Sequence, residues 1–306
     1  MNIVVFGAGA IGSLFGALLS QRHKVALTGR KPHVMAIQQH GLCIQGKTRM
    51  TVTLPAVESV DQLPFEPDLI MLTVKAYDTQ TAMEDLQKIL TEQMIVLSLQ
   101  NGLGNLEHIE TVVKKPQIIA GITTHGAVFN QPGVITHTGK GKTILGPLSH
   151  KSRELANVLV SMFNEVAIGT SLSSDIQKDL WMKSIINSSI NSLTAIFRRP
   201  NGYLLKNPLL TRFVEKICAE STAIAQACGI EVTYQQMIAA TKEVITQTSD
   251  NYSSMYQSLQ RGQPTEIDSI NGYLVDYGQQ QACETVLNAT IVQLLHEFTR
   301  GKIDSL

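Results

Sequence analysis

Met1-Asn2-Ile3-Val4-Val5-Phe6-Gly7-Ala8-Gly9-Ala10-Ile11-Gly12 opens the chain, and this stretch decides the fold. Ile3 to Phe6 form a continuous apolar run, the pattern of a short strand buried on both faces, and Gly7 ends it. Past the glycines, Ile11, Leu14, Phe15, Leu18 and Leu19 recur at helical spacing to about Gln21. Val25 to Thr28 then supplies a second short strand. Strand, glycine turn, helix and strand in this order make a β-α-β unit.

Gly7, Gly9 and Gly12 form a G-x-G-x-x-G motif with the flanking elements it needs. Gly7 permits the tight turn, a side chain at Gly9 would collide with a pyrophosphate, and Gly12 lets the helix lie close to the strand. The amides of the first helical turn then face the anion, so Gly7, Ala8, Gly9, Ala10, Ile11 and Gly12 are expected to hold a dinucleotide. The end of the second strand distinguishes the two nicotinamide cofactors. Enzymes that use NAD commonly place an acidic residue there to accept from the ribose hydroxyls. The sequence is instead Thr28-Gly29-Arg30-Lys31. A guanidinium at Arg30 can grip a 2′-phosphate through paired, charge-assisted hydrogen bonds, so NADPH is favoured over a reading of Arg30 as a solvated surface charge.

Further apolar runs at Leu69 to Val74, Ile95 to Leu99 and Ile118 to Ile122 continue a parallel sheet. Val134 to Thr138, bracketed by Gln131-Pro132-Gly133 and Gly139-Lys140-Gly141, reads as an antiparallel extension of that sheet. From Asp175 the pattern changes to long helical segments at Asp175 to Ile196, Leu209 to Cys228 and Asn271 to about Gln281. Breaks fall at Pro200-Asn201-Gly202 and Gly229. The fold expected is α/β: a Rossmann-type cofactor domain over residues 1–168 and an all-α substrate and catalytic domain over 169–306. A length of 306 residues suits two domains of ~150 each.

Composition narrows the partners. With 25 basic and 25 acidic residues the net charge is zero, which leaves no footprint for nucleic acid or an anionic membrane. A small molecule is expected instead. Residues 2 to 20 carry no charge, yet no basic residue precedes the run, Arg22 and Lys24 follow it, and four glycines interrupt it, so it is not read as a leader or anchor. Cys43, Cys218, Cys228 and Cys283 show no C-x-x-C spacing and fit reduced thiols in the cytoplasm. No metal-ligand spacing occurs among the histidines, so no metal is expected. Composition leaves monomer and homodimer both open.

Along the helix from Asp175 to Ile196, Lys183, Asn187 and Asn191 fall at i, i+4 and i+8, a polar stripe beside Leu180, Ile185, Ile186, Ile190 and Leu193. Carbonyl reduction needs a proton donor at the developing alkoxide. Periodicity alone leaves Lys183 as either that donor or a solvated cation.

The opening glycine motif, Leu72-Thr73-Val74-Lys75-Ala76, Gln100-Asn101-Gly102, and Leu180-Trp181-x-Lys183-x-x-x-Asn187-x-x-x-Asn191-x-Leu193-Thr194-Ala195 resemble the ketopantoate reductase (2-dehydropantoate 2-reductase) family. Pro200-Asn201-Gly202, Ser253-Ser254-Met255 and Thr265-Glu266-Ile267-Asp268-x-Ile270-Asn271-Gly272 follow in that family's order, so the resemblance spans nearly the whole chain. It implies reduction of 2-dehydropantoate to (R)-pantoate by NADPH, on the route to pantothenate and coenzyme A. Lys183 matches the catalytic lysine. Asn187, Asn191, Asn201 and Ser254 match substrate-binding positions, the last two as neutral donors to carboxylate and hydroxyl groups. Arg30, Lys75, Asn101 and Ala127 match cofactor contacts, with Asn101 also approaching the substrate, and Glu266 matches an acidic residue beside the cofactor ribose and reacting centre. Phe197-Arg198-Arg199, before the Pro-Asn-Gly turn, is more basic than the family pattern. Two other readings stand beside this one: a reductase of another branched 2-oxo acid, and a non-catalytic NADPH-binding regulator.

Overall fold

The computed structural model describes residues 1–300 and divides them into two compact units, the first comprising 1–100 and 105–176, the second 101–104 and 177 onward. The second unit's expected last residues, 301–306, lie outside the described residues. Where the sequence suggested a division at 168, the first unit runs through Ile176.

The strands in chain order are β1 (Asn2–Phe6), β2 (Lys24–Thr28), β3 (Leu42–Gly46), β4 (Met50–Val52), β5 (Ala56–Val57), β6 (Leu69–Leu72), β7 (Ile95–Ser98), β8 (Ile118–Thr123), β9 (Gly126–Gln131), β10 (Val134–Gly139), β11 (Thr143–Pro147) and β12 (Thr170–Leu172). The first unit also holds helices α1 (Ala10–Leu19), α2 (Lys31–His40), α3 (Thr79–Leu86), α4 (Asn105–Glu110) and α5 (Arg153–Glu165). The main sheet has eight strands in the order β12-β11-β8-β7-β6-β1-β2-β5. It is parallel except where β11 runs antiparallel to β8. The strand order reverses direction at β1, where β2 and β6 lie on either side, and a doubly wound sheet binds its ligand at such a point.

The expected antiparallel extension exists, but it is β11 and not the Val134 to Thr138 stretch. That stretch, as β10, pairs antiparallel with β9 and parallel with β3 in a separate four-stranded sheet ordered β4-β3-β10-β9. The reason lies in α1, whose residues from Gly12 to Leu19 are buried without a break. A helix apolar nearly all round needs cover on both sides. One core cluster joins α1 residues Leu14, Phe15 and Leu18 to Val5 and Leu27 of the main sheet and to Ile44 and Ile135 of the second.

His33 links these layers. Its Nδ1 accepts from the Gly133 N–H at 2.9 Å, so its Nε2 carries the proton that the Ser13 hydroxyl accepts at 3.0 Å. Burial pushes His33 down to about 4 and, with the neighbouring His137 and Lys140, does the same to His125. Both rings titrate near 6.5 when unfolded. The folded chain therefore binds fewer protons between pH 6.5 and 4, and the stability these rings contribute is complete above that window and lost on descending through it. A loss of up to roughly 3 kcal/mol for each ring is expected by pH 4. The melting temperature should fall between pH 7 and 5 in the native chain and fall less in His33→Asn; identical curves would contradict the assignment.

The second unit is helical: α6 (Ile176–Phe197), α7 (Tyr203–Lys206), α8 (Pro208–Ala227), α9 (Tyr234–Gln247), α10 (Ser254–Gln260), α11 (Tyr273–Gln280) and α12 (Val286–Arg300). Asn207 caps α8, its Oδ1 accepting from the amides of Leu209 and Leu210, with Pro208 in the first turn. The expected amphipathic helix is α6, but its environment differs from that expectation. Its Trp181 and Ile185 enter one core cluster and its Ile190 and Leu193 another, while Ser184, Ser188, Ser189, Ser192 and Thr194 are buried between them. Ser188, Ser189 and Ser192 return hydrogen bonds to carbonyls three or four residues back, which satisfies those hydroxyls inside the core.

Candidate active site

The glycine turn meets the demands of a pyrophosphate cradle. Gly7 sits at φ +105°, and a Cβ there would lie 2.6 Å from the Val74 amide nitrogen. At Gly12 a Cβ would meet the Gly7 carbonyl oxygen and the Thr73 hydroxyl, so the helix could not approach β1. Gly9, the N-cap of α1, is exposed and has nothing within 4 Å of its Cβ position: the space ahead of the helix is open. The amides of Ala10, Ile11 and Gly12 precede the first helical hydrogen bond, which runs from Ser13 N to Gly9 O, and so lack intrahelical acceptors. These donors and the helix dipole suit an anion.

The Gly7 and Ala8 amides both donate to the Thr28 carbonyl, which ties the turn to the end of β2. Gly29 follows, with Ala8 against it, and then Arg30, an exposed cation at the N-cap of α2. No acidic residue occupies the first turn of α2. The residues present therefore fit a nicotinamide dinucleotide, and the charge beside the turn is positive. Lys75, half-buried, precedes a short 3-10 turn after β6, and Ala127 lies half-buried on β9 opposite His137.

In the helical unit, Lys183 projects from α6 and its Nζ donates to Asn101 Oδ1 at 2.9 Å. Asn101 was read from sequence as part of the cofactor domain, yet residues 101–104 pack with the helices. Two glycines make that possible. Gly102 and Gly104 lie at φ +85° and +88°, and a Cβ on either would strike Ser269 or the Tyr273 ring. The Leu103 amide donates to Ser269 O at 2.9 Å, closing the loop onto the π-helical turn Asp268–Gly272 that leads into α11. Glu266, two residues before that turn, is buried. Burial pulls the Lys183 ammonium down to about 8 against the opposing pull of the Glu266 carboxylate. Lysine, amide and carboxylate thus converge.

Asn187 is half-buried one turn beyond Lys183, and Asn191 is buried a turn further on. Ser254 opens α10, whose cap is Ser253: its Oγ accepts from Tyr256 N at 3.2 Å and from the Thr194 hydroxyl at 2.8 Å. Ser253 also reaches Asn191 O at 3.4 Å, so α10 is anchored beside the Asn191 turn. Asn201 is buried in the turn before α7, its Nδ2 donating to Thr248 Oγ1 at 2.8 Å. Sequence reading singled out neither Thr194, Ser253 nor Thr248 for a role. The serine before a helix carried a capping signal, whereas nothing local marks Thr248.

Residues 3–150 match the family model described as ketopantoate reductase PanE/ApbA, and residues 175–299 match the model of its C-terminal part. A 2-dehydropantoate 2-reductase from Pyrococcus horikoshii is 38% identical over 94% of this chain and 94% of its own length. Among solved structures, D-mandelate dehydrogenase with NADH and anilino(oxo)acetate aligns at a TM-score of 0.94 and 28% identity, covering 98% of each chain. A ketopantoate reductase of the PanE/ApbA family from Ralstonia eutropha aligns at 0.90 and 27% identity, over 98% of this chain and 99% of that one. Since the matched regions take in both the glycine turn and the lysine helix, the chain belongs to the ketopantoate reductase family.

Proposed function

We propose that the protein reduces 2-dehydropantoate to (R)-pantoate with NADPH in the cytoplasm, as a step toward pantothenate and coenzyme A. The observation that carries this reading is Lys183: a half-buried ammonium drawn close to neutral range, bonded to Asn101 and opposed by Glu266. Residues 1–168, as read from sequence, supply the cofactor site, and the helical remainder supplies the proton donor and substrate contacts.

The cofactor, when bound, supplies the hydride. Gly7, Ala8, Gly9, Ala10, Ile11 and Gly12 would hold its pyrophosphate, Arg30 its 2′-phosphate, and Lys75 and Ala127 its remaining length. Lys183 Nζ would donate to the ketone oxygen, polarise it, and hand over its proton as the alkoxide forms. Glu266 keeps that ammonium charged in a desolvated place, and Asn101 holds it in position. Asn187, Asn191, Asn201 and Ser254 would bind the substrate's oxygens.

A donor with a value near 8 is mostly protonated at neutral pH and still gives up its proton readily. The value of kcat/KM for reduction is therefore expected to be flat through neutrality and to fall above about pH 8 as Lys183 deprotonates. Glu266→Gln removes the group that raises Lys183, so the fall should begin at lower pH. A descending limb near an ordinary lysine's ~10.4 would contradict this role.

The likeness to D-mandelate dehydrogenase with NADH favours a second reading, an NADH-dependent reductase of another 2-oxo acid. Comparing kcat/KM for 2-dehydropantoate, 2-oxoisovalerate and phenylglyoxylate with each cofactor separates the two. Preference for 2-dehydropantoate and NADPH is expected; equal use of 2-oxoisovalerate, or preference for phenylglyoxylate, would sink the narrower assignment.

A further inference from the structure

Asn201 is held on three sides by the segment leaving α9. Its backbone N–H donates to Asn251 O at 2.9 Å, and the next amide, Gly202, donates to Ser249 O at 2.9 Å. Any side chain at Gly202 would press on Ser249, its Cβ lying 2.8 Å from Ser249 Cβ. The side-chain amide then meets Thr248 Oγ1 at 2.8 Å.

Thr248 is an acceptor only in that contact. Its hydroxyl oxygen lies 2.6 Å from the Val244 carbonyl, a distance at which the proton must sit between the two oxygens. A hydroxyl has one proton to give. If the Asn201 amide turned over, two acceptor oxygens would face each other, so the Thr248 hydroxyl fixes Nδ2 toward itself. The other end of the amide, Oδ1, is buried and has no hydrogen-bond partner among the described residues. A buried acceptor in that condition is costly unless a donor arrives.

We infer that Thr248 sets the site's preference for a 2-oxo acid that carries a hydroxyl group, by orienting Asn201 so that it presents an acceptor. This rests on the substrate reading proposed above. The carboxylate and ketone of such an acid have only acceptor oxygens at neutral pH, whereas its hydroxyl carries a proton to donate. Beside the sequence expectation of Asn201 as a neutral donor this adds an acceptor: one of the two Nδ2 protons is engaged by Thr248, and Oδ1 is the group that awaits a partner. The segment has a second hold on the site, because Ser253, five residues beyond Thr248, bonds Thr194 and Asn191 while capping the helix that begins with Ser254. Thr248 touches neither reacting atoms nor cofactor in this scheme and is a positioning residue.

The test uses Thr248→Val, which keeps the shape and removes the hydroxyl, and Thr248→Ser, which restores it. Each is assayed at saturating NADPH with 2-dehydropantoate and with 3,3-dimethyl-2-oxobutanoate, the same acid lacking the hydroxyl. The native enzyme is expected to favour the hydroxylated acid by at least ~10²-fold, because a site built around a substrate hydroxyl rejects the analogue without it. Thr248→Val should lower kcat/KM for 2-dehydropantoate by ~10- to 100-fold, mainly through KM, and alter the analogue by no more than about threefold. Thr248→Ser should recover the preference. Equal losses for both acids would make Thr248 a merely structural residue, and no loss, or no native preference, would overturn the inference outright. A native enzyme that reduces neither acid would overturn the substrate reading itself, and this inference with it.

Discussion

Replacing Lys183 by alanine is expected to lower kcat by ~10² to 10⁴, the range for removal of a general acid, while NADPH binding changes little. The size follows from its surroundings. Lys183 Nζ is bonded to Asn101 Oδ1 at 2.9 Å, and burial has brought it down to about 8. The ammonium could transfer its proton near neutral pH, and the Asn101 amide left behind in the variant has no proton of that acidity to offer. The measurement is kcat under saturating substrate together with a direct titration of NADPH. A loss below tenfold would return Lys183 to the role of an ordinary helix cation. A large loss of NADPH affinity would make it a cofactor ligand instead.

Arg30→Ala is expected to act on the other half of the chemistry. It should weaken NADPH by ~1.5 to 3 kcal/mol, the scale of a hydrogen bond to a charged group, with NADH little changed. Arg30 is exposed, directly follows the Gly29 that packs on Ala8, and has no carboxylate in the helical turn it caps. Its guanidinium can reach out to a phosphate without breaking an ion pair with that turn. Isothermal titration with both dinucleotides separates the possibilities: a selective loss supports the 2′-phosphate role, and equal losses would mean that Arg30 supports the fold of the turn rather than reading the cofactor.

The parts of this protein that were legible in the sequence are those fixed by local chemistry. The β1–α1–β2 unit could be read because a buried strand, a left-handed glycine and an apolar helix each leave a signature within a few residues of one another. The helix carrying Lys183, Asn187 and Asn191 was placed within one residue at each end, Ile176–Phe197 against Asp175 to Ile196. What escaped depended on partners distant in the chain. The tight turn at Pro132-Gly133 gave the β9–β10 hairpin, but its choice of β3 as neighbour follows from the need to cover α1. The serines of α6 lie in the core, where Ser188, Ser189 and Ser192 each close a hydrogen bond on the helix's own backbone, and the helical spacing of apolar residues did not mark them as buried. Asn101 looked like part of the cofactor domain, but Gly102 and Gly104 let its loop fold onto the helices. The acceptor role inferred for Asn201 rests on where a single proton on Thr248 goes, which no pattern of residue types encodes.

The most direct test of the central claim is NADPH oxidation by the purified protein with 2-dehydropantoate, run beside Lys183→Ala and beside NADH. Rapid turnover that requires both Lys183 and the 2′-phosphate is the expected result. Absence of turnover by the native protein, with NADPH still bound, would contradict it: the glycine cradle would stand as a cofactor site, and the substrate and catalytic assignments would fall.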